Sequence, residues 1–140
     1  MDKKINVLFV CIANSCRSQM AEALFNKFID SHDVNAFATS AGTSPSESVN
    51  VSALEVLKEL NIEHQSVPKL LSSEMMQEAD FIISMGCMSS DFCPVNYMPK
   101  TQDWNIDDPV SHPIEKFREV RDIIKEKVDI LLQELSKSEE

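Results

Sequence analysis

Residues 5–18 read INVLFVCIANSCRS, an apolar run followed by a short loop. The apolar residues 5–10 predict a buried strand, and residues 19–25, QMAEALF, predict the start of a helix. The Cys11 thiol therefore lies where the strand ends, and Arg17 lies where the helix begins. A loop this short can turn its backbone N–H groups inward, and the helix N-terminus adds free N–H groups and a positive dipole end. The stretch predicts a binding site for a tetrahedral oxyanion with a nucleophile at its floor.

The length and charge of the chain exclude several classes of protein. With 140 residues, 43% of them hydrophobic, the chain can form one domain, residues 1–140, around a single core. Its 23 acidic and 13 basic residues argue against nucleic acid or an anionic membrane surface as the partner. No apolar run approaches the roughly 18 residues of a membrane helix, and residues 1–4 lead into a strand without a signal-peptide hydrophobic region. We therefore expect a cytoplasmic protein. We also expect a monomer, but the sequence leaves the oligomeric state open.

The four cysteines could form two disulfides, but catalytic or metal-binding thiols are the better interpretation for a cytoplasmic domain that can form a core. Cys11 and Cys16 are five positions apart, and Cys87 and Cys93 are six positions apart. Neither pair has the short C-x2-C spacing of zinc sites. We interpret the histidines, the methionines and Trp104 as core or surface residues and expect no metal or cofactor.

Strands and helices alternate along the rest of the chain. Turn residues and apolar periodicity predict helices at 18–29, 49–60, 72–79 and 113–135, and strands at 34–40, 80–85 and 100–106. Continuous apolar runs in the strands indicate an α/β fold: an open four-stranded parallel sheet with helices on both faces. Ligands of such sheets bind at the carboxyl ends of the strands. The loop at Cys11 and the segment at Cys87 should therefore open on the same edge.

Three segments carry a family resemblance: residues 10–22, VCIANSCRSQMAE, residues 39–42, TSAG, and residues 103–109, DWNIDDP. Together they resemble the thioredoxin-coupled arsenate reductases, which share a fold with the low-molecular-weight protein tyrosine phosphatases. The resemblance covers essentially the whole chain. A C-x5-R-S loop with a downstream Asp-Pro is a specific combination.

The residue types of the loop suit oxyanion chemistry. Inward N–H groups, a helix dipole and Arg17 all favour the thiolate of Cys11, which is then the nucleophile. The planar fork of Arg17 can hold two oxygens of arsenate or phosphate, and Ser18 can donate its hydroxyl to the Cys11 sulfur. The resemblance implies that Asp108 is the general acid. The backbone groups that would bind the oxyanion belong to Ile12, Ala13, Asn14, Ser15 and Cys16. Asn14 tolerates the positive φ that such a loop requires, and the Cys16 thiol is interpreted as structural.

The segment 86–94, GCMSSDFCP, distinguishes a reductase from a phosphatase. A phosphatase hydrolyses its cysteinyl intermediate with water and needs no further thiol. A reductase must supply two electrons, which a second thiolate provides by attacking Cys11 before a third thiol attacks the second. We assign Cys87 as the second thiol and Cys93 as the third, with thioredoxin reducing their disulfide. The sequence therefore predicts reduction of arsenate to arsenite.

Several alternatives remain open at this point. The chain could be a phosphatase that hydrolyses phosphomonoesters through a Cys11 phosphocysteine, or a non-enzymatic oxyanion-binding or thiol-sensing module. The electron donor could be a glutathione system, and the order of Cys87 and Cys93 could be reversed. The family commonly has its second cysteine where Gly86 stands, so Cys87 is displaced by one residue. Some members bind potassium beside the loop. Asn14, Glu22 and Ser40 match that site, whereas Val67 stands in place of an acidic ligand.

Overall fold

The structure is a computed structural model that describes residues 4–86 and 101–138. Its strands are β1 (Ile5–Cys11), β2 (Ala36–Gly42), β3 (Phe81–Ser84) and β4 (Thr101–Asp103). Its α-helices are α1 (Arg17–Phe28), α2 (Val51–Lys58), α3 (Ser73–Glu78) and α4 (Ile114–Ser138), and one 3-10 turn (Ile29–His32) follows α1. None of the helices in this described part is long and apolar enough to cross a membrane.

The four strands form one parallel sheet with the order β2-β1-β3-β4, which confirms the predicted open four-stranded sheet. The chain adds β2 on one side of β1 and then returns to add β3 and β4 on the other side. The direction of winding therefore reverses at β1 and β3. Crevices at the carboxyl ends of such neighbouring strands are the usual ligand sites of open α/β sheets. The first strand ends at this point with Cys11.

The second strand lies two residues later than the predicted 34–40. It pairs with β1 residue by residue, from Ile5 opposite Ala36 to Cys11 opposite Gly42, and this pairing carries it to Gly42. A side chain at Gly42 would place its Cβ 2.5 Å from the carbonyl oxygen of Ile12, a distance that real structures do not tolerate. Glycine at the end of β2 therefore allows the loop that follows β1 to pack closely against β2.

Helices cover both faces of the sheet, as the sequence predicts. Because successive strand residues point to opposite faces, Val7 and Phe9 of β1 join the larger core with α1, α2 and α4. Leu8 and Val10 join a smaller cluster on the other face, against which Met75 of α3 packs. The larger core fixes the position of α1, and with it the loop that precedes this helix.

Local sequence signals set the ends of the helices. The Asn50 side chain caps α2 by accepting the N–H groups of Ser52 and Ala53, and Ser72 caps α3 by accepting that of Met75. The chain leaves α2 through Asn61 at φ 63°. The long helix runs from Ile114, close to its predicted start at residue 113.

Candidate oxyanion site

The anion loop, residues 11–18, joins β1 to α1 and encloses the buried sulfur of Cys11. The N–H of Asn14 donates to Cys11 Sγ at 3.1 Å, and the Ser18 hydroxyl lies 2.7 Å from the same sulfur. Asn14 adopts the expected left-handed conformation, with φ 51°. The N–H of Asn14 points toward the sulfur, which lies at the floor of the loop.

The direction of the bond between Ser18 and Cys11 follows from the neighbouring amide. Asn14 Nδ2 donates to Ser18 Oγ at 2.8 Å, and a side-chain amide nitrogen is only a donor. The single hydroxyl proton of Ser18 is therefore available for Cys11 Sγ. The Cys11 sulfur therefore accepts hydrogen bonds from both an O–H and an N–H.

The Gln19 side chain and the main-chain N–H of Lys69, which sequence reasoning did not single out, hold the Asn14 side chain in place. Gln19 Nε2 donates to the main-chain oxygen and to Oδ1 of Asn14, at 3.1 and 3.0 Å, and the N–H of Lys69 donates to the same Oδ1 at 2.9 Å. Gln19 Oε1 then accepts from His64 Nε2 at 2.7 Å. A fully buried glutamine directly after the loop was the available signal, but its partners lie far away in sequence.

The environment of His64 keeps this chain of hydrogen bonds in one arrangement. Burial lowers the pKa of His64, the nearby Glu22 carboxylate opposes that shift, and the Lys69 ammonium adds to it. The imidazole is therefore neutral at physiological pH, with its proton on Nε2 where Gln19 accepts it.

Arg17 connects the anion loop to the carboxyl ends of β3 and β4. Its Nη1 donates to the carbonyl oxygens of Met85 and Ile106, the latter at 2.8 Å. Its Nη2 lies 4.0 Å from Asp108 Oδ2, while Asp108 Oδ1 accepts the N–H of Val110 at 3.1 Å. The Asp108 side chain is 55% exposed, so this carboxyl stands at the mouth of the site.

The structure brings Cys11, Arg17 and Asp108 together around one small cavity of about 30 Å³. The remaining lining residues are Ala13, Ser15, Cys16 and Val110. A larger hollow of about 510 Å³ lies at the amino ends of the strands, but its lining contains neither a thiol nor an arginine. The smaller cavity is therefore the candidate site, because it is lined by Cys11, the residue that the sequence predicts as the nucleophile.

The second thiol of the loop differs from the first. Cys16 is buried, and burial raises its pKa to about 12, with the charges of Asp108 and Cys11 adding to the shift and that of Arg17 opposing it. It is a neutral thiol at physiological pH, in keeping with its interpretation as a structural residue. Cys11 and Cys16 are both free thiols.

The relay cysteines of the sequence analysis, Cys87 and Cys93, lie outside the described residues. Gly86, the residue before Cys87, is among the described residues. Gly86 has φ 107°, and a Cβ at this position would lie 3.4 Å from Arg17 Nη1. The chain therefore passes beside the Arg17 guanidinium one residue before Cys87.

The residues that match the potassium site of the resembling family do not fit a metal ion. The Ser40 hydroxyl donates to Glu22 Oε1 at 3.0 Å, and the Asn14 side-chain oxygen already accepts two N–H groups. The Lys69 ammonium lies 3.9 Å from Glu22 Oε1 and brings a positive charge of its own. The described residues contain no group of three or more His, Cys, Asp or Glu side chains that could hold a metal.

Comparison with known proteins assigns the chain to a family. The sequence model for low molecular weight phosphotyrosine protein phosphatases matches residues 6–140. The chain belongs to this family.

Individual relatives add detail to this assignment. Arsenate reductase 1 of Staphylococcus haemolyticus is 33% identical over 132 residues, which cover 91% of this chain and 94% of the relative. A low molecular weight protein tyrosine phosphatase of T. tengcongensis has a similar structure, with TM-score 0.83, 28% identity and coverage of 94% of this chain and 99% of the other. A solved arsenate reductase in the phosphate binding state gives TM-score 0.78 at 30% identity, covering 94% of this chain and 98% of the other. These similarities confirm the resemblance inferred from the sequence.

Proposed function

We propose that this protein reduces arsenate to arsenite, with Cys11 as the nucleophile and Cys87 and Cys93 as the relay thiols. One observation carries the proposal: Gly86 lies beside Arg17, and the residue that follows Gly86 in the sequence is a cysteine. The names of the relatives support the substrate, because several of them are arsenate reductases of similar length.

Binding of the oxyanion would use the loop and Arg17. The N–H groups of residues 12–16, together with the free donors of the guanidinium, suit a tetrahedral anion such as arsenate. The small cavity excludes bulky ligands from the floor of the site. The solved arsenate reductase that is similar to this chain was captured in a phosphate binding state, which supports the same type of ligand here.

The first chemical step forms a covalent arsenic adduct. The Cys11 thiolate attacks arsenic, a sulfur–arsenic bond forms and an arsenic–oxygen bond breaks. Asp108 at the mouth of the site would protonate the departing oxygen, which leaves as water. Arg17 would stabilise the negative charge on the remaining oxygens while the geometry changes.

The later steps transfer electrons and restore the enzyme. The Cys87 thiolate attacks Cys11 Sγ, a disulfide forms, and the electron pair of the broken sulfur–arsenic bond stays on arsenic, which leaves as arsenite. Cys93 then attacks the Cys87 sulfur and releases the Cys11 thiolate. The dithiol of thioredoxin would reduce the Cys87–Cys93 disulfide and become oxidised itself. This relay suits the cytoplasm, which keeps thiols reduced, and we propose that the protein acts there as a monomer.

A phosphatase with an aromatic substrate is the second candidate, since the family takes its name from phosphotyrosine. The described residues that line the cavity include no aromatic side chain on which a tyrosine ring could stack. Trp104 packs instead against Phe9 in the core, with ring centroids 5.5 Å apart. Among the described residues, the geometry therefore favours a small inorganic oxyanion.

Two cysteine variants test the proposal. Cys87→Ser and Cys93→Ser should each abolish arsenate turnover with thioredoxin, because each breaks the transfer of electrons. Both should keep any hydrolysis of an aryl phosphate, which needs only the anion loop. Mass-spectrometric mapping after a single arsenate turnover should find a Cys87–Cys93 disulfide in the wild type and a Cys11–Cys87 disulfide in Cys93→Ser.

The other outcomes separate the alternatives. Unchanged arsenate turnover in either variant would eliminate the relay. Efficient phosphomonoester hydrolysis without a thiol donor, and no arsenate turnover, would identify a phosphatase. Oxyanion binding with no turnover of either substrate would identify a binding or sensing module. Replacing thioredoxin with glutathione and glutaredoxin in the same assay would identify the electron donor.

A further inference from the structure

The Asp103 carboxylate binds the chain at the end of β3 and just after β4, beside the candidate site. Its Oδ1 accepts three hydrogen bonds: from the Ser84 hydroxyl at 2.9 Å, from the N–H of Gly86 at 2.8 Å and from the N–H of Asn105 at 3.1 Å. Gly86 and Asn105 both have positive φ, 107° and 51°. The carboxylate therefore holds two left-handed turns, one after each strand.

These two turns present the carbonyl groups that hold Arg17. Met85 lies between Ser84 and Gly86, and Ile106 directly follows Asn105. The carbonyl groups of Met85 and Ile106 accept from Arg17 Nη1. Each of these two residues is therefore adjacent to a residue that donates to Asp103. The Asp103 carboxylate does not itself bind Arg17. It binds the two turns that carry the acceptors of the guanidinium.

We propose that Asp103 is a positioning residue for Arg17, which it orients for oxyanion binding by fixing the carbonyl oxygens of Met85 and Ile106. The inference rests on the proposed binding of an oxyanion by the anion loop. With Nη1 held by two carbonyls, the guanidinium keeps one orientation, and its remaining donors face the cavity beside Cys11 and Asp108. Without the carboxylate, both turns lose their anchor and Arg17 loses its fixed acceptors.

A second carboxylate at the opposite end of β3 provides a matched control. Asp80 Oδ2 accepts the N–H of Asn6 at 2.8 Å, just before β3 begins. Like Asp103, it binds a main-chain N–H next to the sheet, but it lies at the end remote from the anion loop. Variants of Asp80 and Asp103 therefore both lose hydrogen bonds to the backbone, and they differ in their distance from Arg17.

Isothermal titration with inorganic phosphate, together with steady-state kinetics on arsenate, tests the inference. Asp103→Ala should weaken phosphate binding by about tenfold and raise KM for arsenate more than it lowers kcat. Asp103→Asn keeps an acceptor oxygen at the same position and should restore binding to within about threefold of the wild type. Asp80→Ala should bind phosphate as tightly as the wild type.

Each result has a defined meaning. Wild-type affinity in Asp103→Ala, or equal weakening in Asp80→Ala, would overturn the inference. If Asp103→Ala does not fold, Ser84→Ala removes one of the three donors and should weaken phosphate binding about threefold, and wild-type affinity in this variant would overturn the inference. Failure of the wild type to bind phosphate would instead overturn the oxyanion site, and this inference with it. Phosphate binding without arsenate turnover would leave the positioning role intact and reject only the reductase.

Discussion

Two regions of the structure contain a largely enclosed arginine, and in only one of them does a carboxylate lie within 3 Å of the guanidinium. At the interface of α2 and α4, Arg121 Nη1 donates to the Val56 carbonyl at 2.9 Å and to Glu59 Oε1 at 2.6 Å. Its Nε donates to Asp122 at 2.9 Å. Hydrogen bonds from Arg118 and Arg121 hold the pKa of the Glu59 carboxyl below its usual range. The charge of Arg121 is therefore neutralised within the protein.

Arg17 in the anion loop has a different environment. Its hydrogen bonds run to two carbonyl groups, and its carboxylate partner, Asp108, is exposed and 4.0 Å away. A buried charge without a close counter-ion costs stability unless a ligand supplies one. The comparison shows that α2 and α4 use an arginine to join two helices, whereas the arginine of the anion loop has no carboxylate closer than 4.0 Å, as the proposed binding of an anion requires.

Replacing each arginine with lysine should separate these two roles most strongly. Arg17→Lys should lower kcat/KM for arsenate by at least about 100-fold, because an ammonium cannot hold two oxygens and two carbonyls at once. Arg121→Lys should keep the activity and lower the free energy of unfolding by about 1–2 kcal/mol. Arsenate kinetics and urea unfolding of both variants measure these effects. Equal losses of activity in the two variants would show that Arg17 and Arg121 do not differ in their roles.

Two buried serines allow a finer comparison. Ser18→Ala should lower the rate of Cys11 alkylation by iodoacetamide at neutral pH about tenfold, because the thiolate loses one hydrogen bond. Ser40→Ala removes an equally buried hydroxyl that donates to Glu22 instead, and it should leave the alkylation rate unchanged. Quantifying the modified Cys11 by mass spectrometry gives both rates. A normal rate in Ser18→Ala would show that its hydroxyl does not stabilise the thiolate.

Local patterns predicted most of the fold. The apolar run of β1 and the long periodic stripe of α4 specify a buried strand and an amphipathic helix without reference to the rest of the chain. The predicted range of β2 was two residues too early, because pairing with β1 determines where this strand ends. The last strand was predicted to reach residue 106, but β4 ends at Asp103, where the carboxylate binds the N–H of Asn105 and turns the chain.

Local sequence patterns predict the candidate site only where its residues are neighbours in sequence. The spacing of Cys11, Arg17 and Ser18 indicates the anion loop directly, because one loop and one helix N-terminus bring them together. Asp108 was identified by resemblance to a family. His64 was interpreted as core or surface, since its bond to Gln19 joins residues 45 positions apart. The hydrogen bonds of Asp103 likewise depend on β3 and β4 being adjacent.

The smallest expected difference between the two regions lies in the pH dependence of their stability. The two regions respond in different pH ranges. Burial lowers the pKa of His64 below 6.5, so the unfolded chain binds a proton before the folded protein does. The stabilising contribution of neutral His64 is complete above pH 6.5 and is lost as the pH falls below it. Glu59 has a pKa below 4.5, so its contribution is lost only as the pH falls below that value. In thermal unfolding at several pH values, His64→Gln should flatten the dependence just below pH 6.5, whereas Glu59→Gln should flatten it only below pH 4.5. An unchanged profile in His64→Gln would mean that the hydrogen-bonded residues behind the anion loop do not hold this histidine neutral.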